Sequence, residues 1–307
     1  MQKKLLAWFN KNGRHTLPWR NTQDLYHVYL SEIMLQQTQV NRVMEEYYPQ
    51  FLAKFPTLTA LANASQDDVL AAWSGLGYYS RARNLHKTAQ TVEPKLPQSE
   101  QELLKLPGIG RYTASAICSF GLFQTVPVVD TNISRVIKRY FALLEPKDAM
   151  VWQYALEFLN TDNARAHNLA LMDLGSMVCF PKNPNCNECP IAINCQGKNE
   201  PQLYTKTKKT NYESIELYYG ICIKDDKIAL HYSKERMYKG MLVLPQVEPL
   251  EDAYIGTFKH SYTKYRIDVK LYKAEDFLED IIWVQLDQLS NTPISSLTKK
   301  AQKYFKS

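Results

Sequence analysis

Apolar side chains recur every three or four residues through the first two-thirds of the chain and every second residue after it. The first rhythm predicts helices over Leu25–Met34, Gln39–Phe51, Val69–Ala72, Glu102–Leu106, Tyr112–Phe120, Ile133–Leu144, Trp152–Leu159 and Asn168–Met177. A polar, lysine-rich stretch follows over Gln196–Asn211 and reads as an exposed linker. Beyond it, Glu216–Ile223, Lys227–Tyr232 and Tyr265–Tyr272 alternate as strands do, and Asp225-Asp226 makes a hairpin turn between the first two. A last helix is expected over Leu297–Phe305, and no internal repeat is visible. The expected architecture is a mainly helical domain over 1–198, a linker over 199–211 and a small α+β domain over 212–307.

The chain has 307 residues and is 45% hydrophobic, enough for a buried core and of a length that suggests two domains. It contains no apolar run long enough for a membrane span, and its start is too short and too quickly polar for a signal peptide. A cytoplasmic, reducing setting is therefore expected, which disfavours disulfides. The net charge of +6 is unevenly placed. Residues 1–211 hold 23 Lys and Arg against 17 Asp and Glu, whereas the remainder holds 14 of each. The excess sits where a polyanion would be met, although solvated faces can also be basic.

Cys179, Cys186, Cys189 and Cys195 form the pattern C-x6-C-x2-C-x5-C directly after the Asn168–Met177 helix. Four thiolates in such a loop can hold zinc or an iron–sulfur cluster. Zinc sites usually pair two short C-x2-C knuckles, whereas one short gap between longer ones suits a wider cubane. The remaining cysteines, Cys118 and Cys222, lie in apolar surroundings and read as small core residues.

Leu106-Pro-Gly-Ile-Gly lies between two helical segments. Gly108 and Gly110 would let backbone N–H groups approach an anion closely, and the next helix opens at Arg111 with its positive dipole end free. That is a helix–hairpin–helix, about 102–120, which grips a DNA phosphate without reading a base. An ordinary helix–helix turn uses the same residue types. Asp130 follows the apolar Val128-Val129 and precedes a helix, so it is an N-cap whose carboxylate the helix dipole would keep ionised. Glu32 sits in an amphipathic apolar helix, where it could equally be a solvated face residue or, if buried, have its pKa raised towards neutrality. One carboxyl able to donate a proton and one able to stabilise a positive sugar would together cleave a glycosidic bond.

In order along the chain, Leu17-Pro-Trp-Arg, Leu30-Ser-Glu-Ile-Met-Leu-Gln-Gln-Thr-Gln-Val, Trp73-Ser-Gly-Leu-Gly-Tyr-Tyr-Ser-Arg-Ala-Arg, Leu106-Pro-Gly-Ile-Gly-Arg-Tyr-Thr-Ala, Val129-Asp-Thr-Asn, Leu171-Met-Asp-Leu-Gly and the cysteine loop resemble the MutY family of adenine DNA glycosylases. That family belongs to the helix–hairpin–helix base-excision superfamily of endonuclease III. The resemblance implies a [4Fe–4S] cluster on the four cysteines, bracing a loop whose Lys182 and Lys198 contact DNA. It implies that a monomer binds double-stranded DNA, flips out adenine mispaired with 8-oxoguanine or guanine, and cuts its N-glycosidic bond. Glu32 would protonate the purine, Asp130 would stabilise the oxocarbenium-like sugar, Asn132 would orient the pair, and Tyr112 would line the pocket. Arg20 and Asp173 match residues that hold the adenine. Gln37, Tyr78 and Tyr79 match wedges that fill the stack, and Thr38 belongs to the same motif.

Tyr112 stands where bifunctional relatives carry a lysine; a phenol cannot form their imine, so a monofunctional enzyme leaving an abasic site is expected. Thr131 replaces the family's usual glycine, and Asp173 its usual glutamate. The C-terminal domain resembles the MutT/Nudix fold, but residues 212–307 lack the acidic motif that Mg²⁺-dependent hydrolysis needs, so it reads as a recogniser of 8-oxoguanine. Tyr262-Thr263-Lys264 aligns with the family's Phe-Ser-His, and a charged Lys264 cannot accept a hydrogen bond as histidine can. Two other readings remain: an endonuclease III-like or mismatch glycosylase acting on another base, and a non-catalytic iron–sulfur DNA-binding protein.

Overall fold

The structure, a computed structural model, describes residues 1–205, 211–275, 277 and 280–305. The chain forms two compact units, Met1–Tyr48 with Thr91–Lys208, and Pro49–Gln90 with Lys209–Ser307. One division, between Lys208 and Lys209, falls within the expected linker 199–211, whereas those at Tyr48–Pro49 and Gln90–Thr91 were not expected. The helices between Pro49 and Gln90 belong with the strand-bearing segment. Residues 206–210 of the expected linker lie outside the described residues.

The first unit is helical: Gln2–Asn12, Leu25–Leu35, Val40–Arg42, Glu100–Leu103, Arg111–Ala116, Thr131–Tyr140, Asp148–Phe158 and Ala164–Met177. Two of the expected helices contain π-helical turns, Val43–Tyr47 and Ile117–Gly121, which hydropathy spacing does not reveal because they preserve its approximate period. Gln2–Asn12 escapes the hydropathy reading because it buries only Leu5 and Phe9. Those two residues join Val28, Phe120, Val136, Ile137, Trp152, Leu171 and Leu174 in one core. The helices begin where short polar side chains accept free N–H groups: Asp24 from Tyr26, Ser99 from Glu102, and Asn163 from Ala166.

The second unit joins helices, including Leu58–Ala62, Gln66–Ala72 and Ser80–Val92, to strands β1 (Glu213–Ile221), β2 (Ile223–Lys224), β3 (Lys227–Tyr232), β4 (Leu242–Val243), β5 (Tyr254–Tyr262), β6 (Tyr265–Lys273) and β7 (Ile282–Gln285). One sheet has the order β1-β6-β5, with β1 parallel and β5 antiparallel to β6. In the other, β3 pairs with β2, β4 and β7. The Asp225-Asp226 turn is as expected: both residues have positive φ, 49° and 57°, the type I′ geometry that matches strand twist. The terminal helix is shorter than its pattern, Ser296–Ala301 with a 3₁₀ turn after it. Cys118 and Cys222 are buried, and among the described residues no helix is long and apolar enough to cross a membrane.

Candidate active site

Helix Leu25–Leu35 is buried around most of its circumference, so it carries Glu32 into the interior with 5% exposure. Tyr112, from helix Arg111–Ala116, donates its hydroxyl to Glu32 Oε2 at 2.5 Å. Burial pushes the Glu32 carboxyl up to about 7; the Asp130 charge adds to the effect, while the Tyr112 bond and Arg20 oppose it. The upward direction and its cause are those expected for a buried carboxyl in this helix.

Asp130 caps helix Thr131–Tyr140 by accepting from Ile133 N at 2.6 Å. Its other oxygen accepts from Asn132 Nδ2 at 2.9 Å. Burial raises the Asp130 carboxyl above the ordinary range, and these donors pull it back. The helix-end effect anticipated from sequence therefore works against a desolvation cost that the sequence does not display. Gly175 allows this approach: a Cβ there would lie 2.6 Å from Asn132 Cβ and 3.0 Å from its backbone.

Glu32, Asp130, Asn132, Tyr112, Thr38 and Arg20 line one cavity of about 260 Å³, with Trp19, Leu169 and Met172 among its apolar walls. Asp173 is fully buried and is not among the lining residues. Arg20 grips it bidentately at 2.7 and 2.8 Å, and Arg14 adds its backbone N at 2.9 Å and Nε at 2.7 Å. Burial raises that carboxyl, but the two arginines outweigh it and hold it below the usual range. The carboxylate is saturated, so Asp173 positions the arginines and has no oxygen left to offer a base. Arg14 was not legible in the sequence, since nothing in its polar loop marks it. Arg135 was also missed, though it follows Asn132 by three residues on one helix face; it donates to Asn132 Oδ1 at 2.8 Å, Gly175 O at 2.6 Å and Cys179 O at 2.8 Å.

Gln37 is exposed beyond the helix end with φ 59°. Tyr78 is 37% exposed with φ 50°, whereas Tyr79 is only 3% exposed and packs on Tyr238 at 6.3 Å between ring centroids. Of the two tyrosines only Tyr78 is free to enter a base stack; Tyr79 is core. At the tip of the β5–β6 hairpin, Tyr262 packs on Tyr238 at 4.9 Å and Thr263 adopts φ 51°, a strained conformation for a β-branched residue. Lys264 pairs with Glu213 at 2.5 Å. In the helix–hairpin–helix, Gly108 has φ 76°, and apart from its chain neighbours no described atom lies within 4 Å of a Cβ built at Gly110. Arg111 is exposed and stacks on Trp152 at 4.0 Å.

Cys179, Cys186, Cys189 and Cys195 line a single, almost wholly apolar cavity. Arg139, 2% exposed, donates to Cys179 Sγ at 3.2 Å and to the carbonyls of Phe180 and Pro181. Among the described residues, no three Cys, His, Asp or Glu side chains converge as one ion requires. Four sulfurs around one cavity fit a thiolate-ligated metal centre. Lys182 and Lys198 are both exposed.

Residues 30–161 match the family model described as HhH-GPD superfamily base excision DNA repair protein. An adenine DNA glycosylase of Buchnera aphidicola subsp. Schizaphis graminum is 34% identical over 287 residues, covering 89% of this chain and 81% of its own. The adenine DNA glycosylase of Homo sapiens is 40% identical over 212 residues, covering 63% of this chain and 38% of its own. Among solved structures, a thermostable thymine-DNA glycosylase superposes with a TM-score of 0.60 at 27% identity, over 65% of this chain and 95% of that one. An endonuclease III bound non-covalently to DNA gives 0.57 at 18% identity, over 65% and 94%, a likeness of fold alone.

Proposed function

Because the chain belongs to the adenine DNA glycosylases of the HhH-GPD base excision repair superfamily, we propose that it is a monofunctional glycosylase for adenine mispaired with 8-oxoguanine or guanine. Adenine removal in base excision repair is the family activity. The finer assignment rests above all on one observation: Glu32, held near a pKa of 7, shares a cavity with Asp130.

In the proposed reaction, the flipped nucleotide enters that cavity and Glu32 gives its proton to the purine ring. The C1′–N9 bond then breaks, its electron pair leaves with the now neutral adenine, and positive charge develops at C1′ and the ring oxygen. Of two carboxyls in one cavity, one keeps the proton and the other the charge. Asp130 is the one with N–H donors on both oxygens, so it keeps the charge and faces the sugar cation. Water then adds to C1′ and gives its proton back to the Glu32 carboxylate, which completes the abasic site. Tyr112 holds Glu32 in place and supplies no amine, which disfavours lyase chemistry. An acid at Glu32 suits a purine that must be protonated and so disfavours the thymine or oxidised-pyrimidine reading.

Cys179, Cys186, Cys189 and Cys195 would hold a [4Fe–4S] cluster, whose bonds would tie the 179–195 loop together and present Lys182 and Lys198 to DNA. Gly108, Gly110 and Arg111 would grip a phosphate, Gln37 and Tyr78 would fill the vacated stack, and Tyr262 with Thr263 would meet the 8-oxoguanine. The protein would work as a monomer in the reducing cytoplasm. Single-turnover base release from duplexes with adenine opposite 8-oxoguanine, guanine, cytosine or thymine tests this reading. Release opposite the first two alone, without a borohydride-trapped adduct, is expected. Release of a pyrimidine instead, or a trapped adduct in high yield, contradicts it.

A further inference from the structure

The Trp73–Arg83 motif contains a buried arginine to which none of the functions above gives a task. Arg81 is 8% exposed, and its guanidinium lies over two rings, 5.3 Å from Trp73 and 5.5 Å from Tyr78. Its Nη2 donates to Leu76 O at 3.3 Å and Gly77 O at 3.1 Å. The Trp73 indole N–H donates to the same Gly77 oxygen, also at 3.1 Å. Two donors on one carbonyl use both its lone pairs and fix the Gly77–Tyr78 peptide plane. The orientation of that plane defines φ of Tyr78, which is held at 50° after Gly77 at 73°. Few non-glycine residues adopt that region unaided.

We propose that Arg81 is a positioning residue that pre-forms Tyr78 as the DNA-inserting wedge. It locks the peptide plane through Gly77 O and supports the back of the ring with a flat cation. Supporting the ring needs the planar guanidinium: a lysine carries the charge and can donate to carbonyls, but presents no plane to the ring. Pre-forming the wedge removes the ordering cost that a mobile tyrosine would incur on every encounter with DNA. The inference rests on the reading of Tyr78 as a wedge.

The test uses the full-length protein and a duplex with adenine opposite 8-oxoguanine, carrying 2-aminopurine beside the 8-oxoguanine to report unstacking. Arg81→Lys, Arg81→Met, Tyr78→Ala and the Tyr78→Ala/Arg81→Lys pair are compared, with thermal unfolding followed for each. Arg81→Lys is expected to slow single-turnover base release about tenfold and to suppress the fluorescence rise, as Tyr78→Ala does. The double variant should then be no slower than Tyr78→Ala alone. If the two losses multiply, Arg81 acts elsewhere and the proposal fails; it also fails if Arg81→Lys behaves as wild type. A Tyr78→Ala protein with unchanged fluorescence and rate removes the wedge reading itself, and the inference with it. Should Arg81→Met fold poorly, Arg81→Lys still decides.

Discussion

Glu32 is the residue on which the proposed chemistry turns, and the burial that would suit it to act as an acid also costs stability. Its folded-state pKa of about 7 lies above the ordinary 4.5. Its contribution to stability is therefore fully present below the unfolded value and lost as pH rises through 7. Glu32→Gln cannot ionise, so between about pH 4 and about pH 8 it should gain roughly 2–3 kcal/mol on wild type while losing base release; urea unfolding at both pH values checks this. Asp173 is the opposite case. Removing its charge leaves Arg14 and Arg20 uncompensated, and Asp173→Asn is expected to cost about 3 kcal/mol in the same assay. His167 is buried in helix Ala164–Met177 with neither ring nitrogen bonded, and burial lowers its pKa to about 4. Its stability contribution is present above pH 6.5 and lost as pH falls through 4, so His167→Leu should stabilise the protein by about 1 kcal/mol at neutral pH and by more in acid.

At the scale of elements, the site depends on how closely helix Ala164–Met177 approaches the start of helix Thr131–Tyr140. Gly175→Ala would place a Cβ against Asn132 backbone that cannot rotate away. It should destabilise the protein by about 1–3 kcal/mol and slow base release about 100-fold. The β2–β3 turn can be improved: Asp226→Gly should stabilise by about 1 kcal/mol because Asp226 sits at φ 57°. Much of this scale was legible in the sequence. Capping and apolar spacing marked the helices that bear Glu32 and Asp130, and alternation marked β1, β3 and β6. What was not legible depends on tertiary contact. Tyr78 and Tyr79 are adjacent and identical in type, yet only packing on Tyr238 separates the buried ring from the exposed one proposed as a wedge. Asp173 matches a base-binding position, and only the folded arginine pair shows that its oxygens are occupied. The grouping of Pro49–Gln90 with the strands arises from contacts distant in sequence, which local periodicity cannot report.

For the whole molecule, fold, charge and chemistry converge on one activity. The excess of positive charge in residues 1–211 and the hairpin at Gly108–Gly110 suit a phosphate backbone. Affinity for an undamaged duplex should therefore fall steeply as salt rises, and Lys198→Ala should reduce the logarithmic slope by about one. The central claim, that a buried Glu32 protonates adenine beside an ionised Asp130, is tested most directly by the pH dependence of the second-order rate constant for adenine release. That constant reports the free enzyme's essential acid. The account predicts a rate that falls about tenfold per pH unit above about 7, and near-total loss in Glu32→Gln with duplex binding retained. A rate independent of pH across that range, or a Glu32→Gln protein releasing adenine as wild type does, would contradict it.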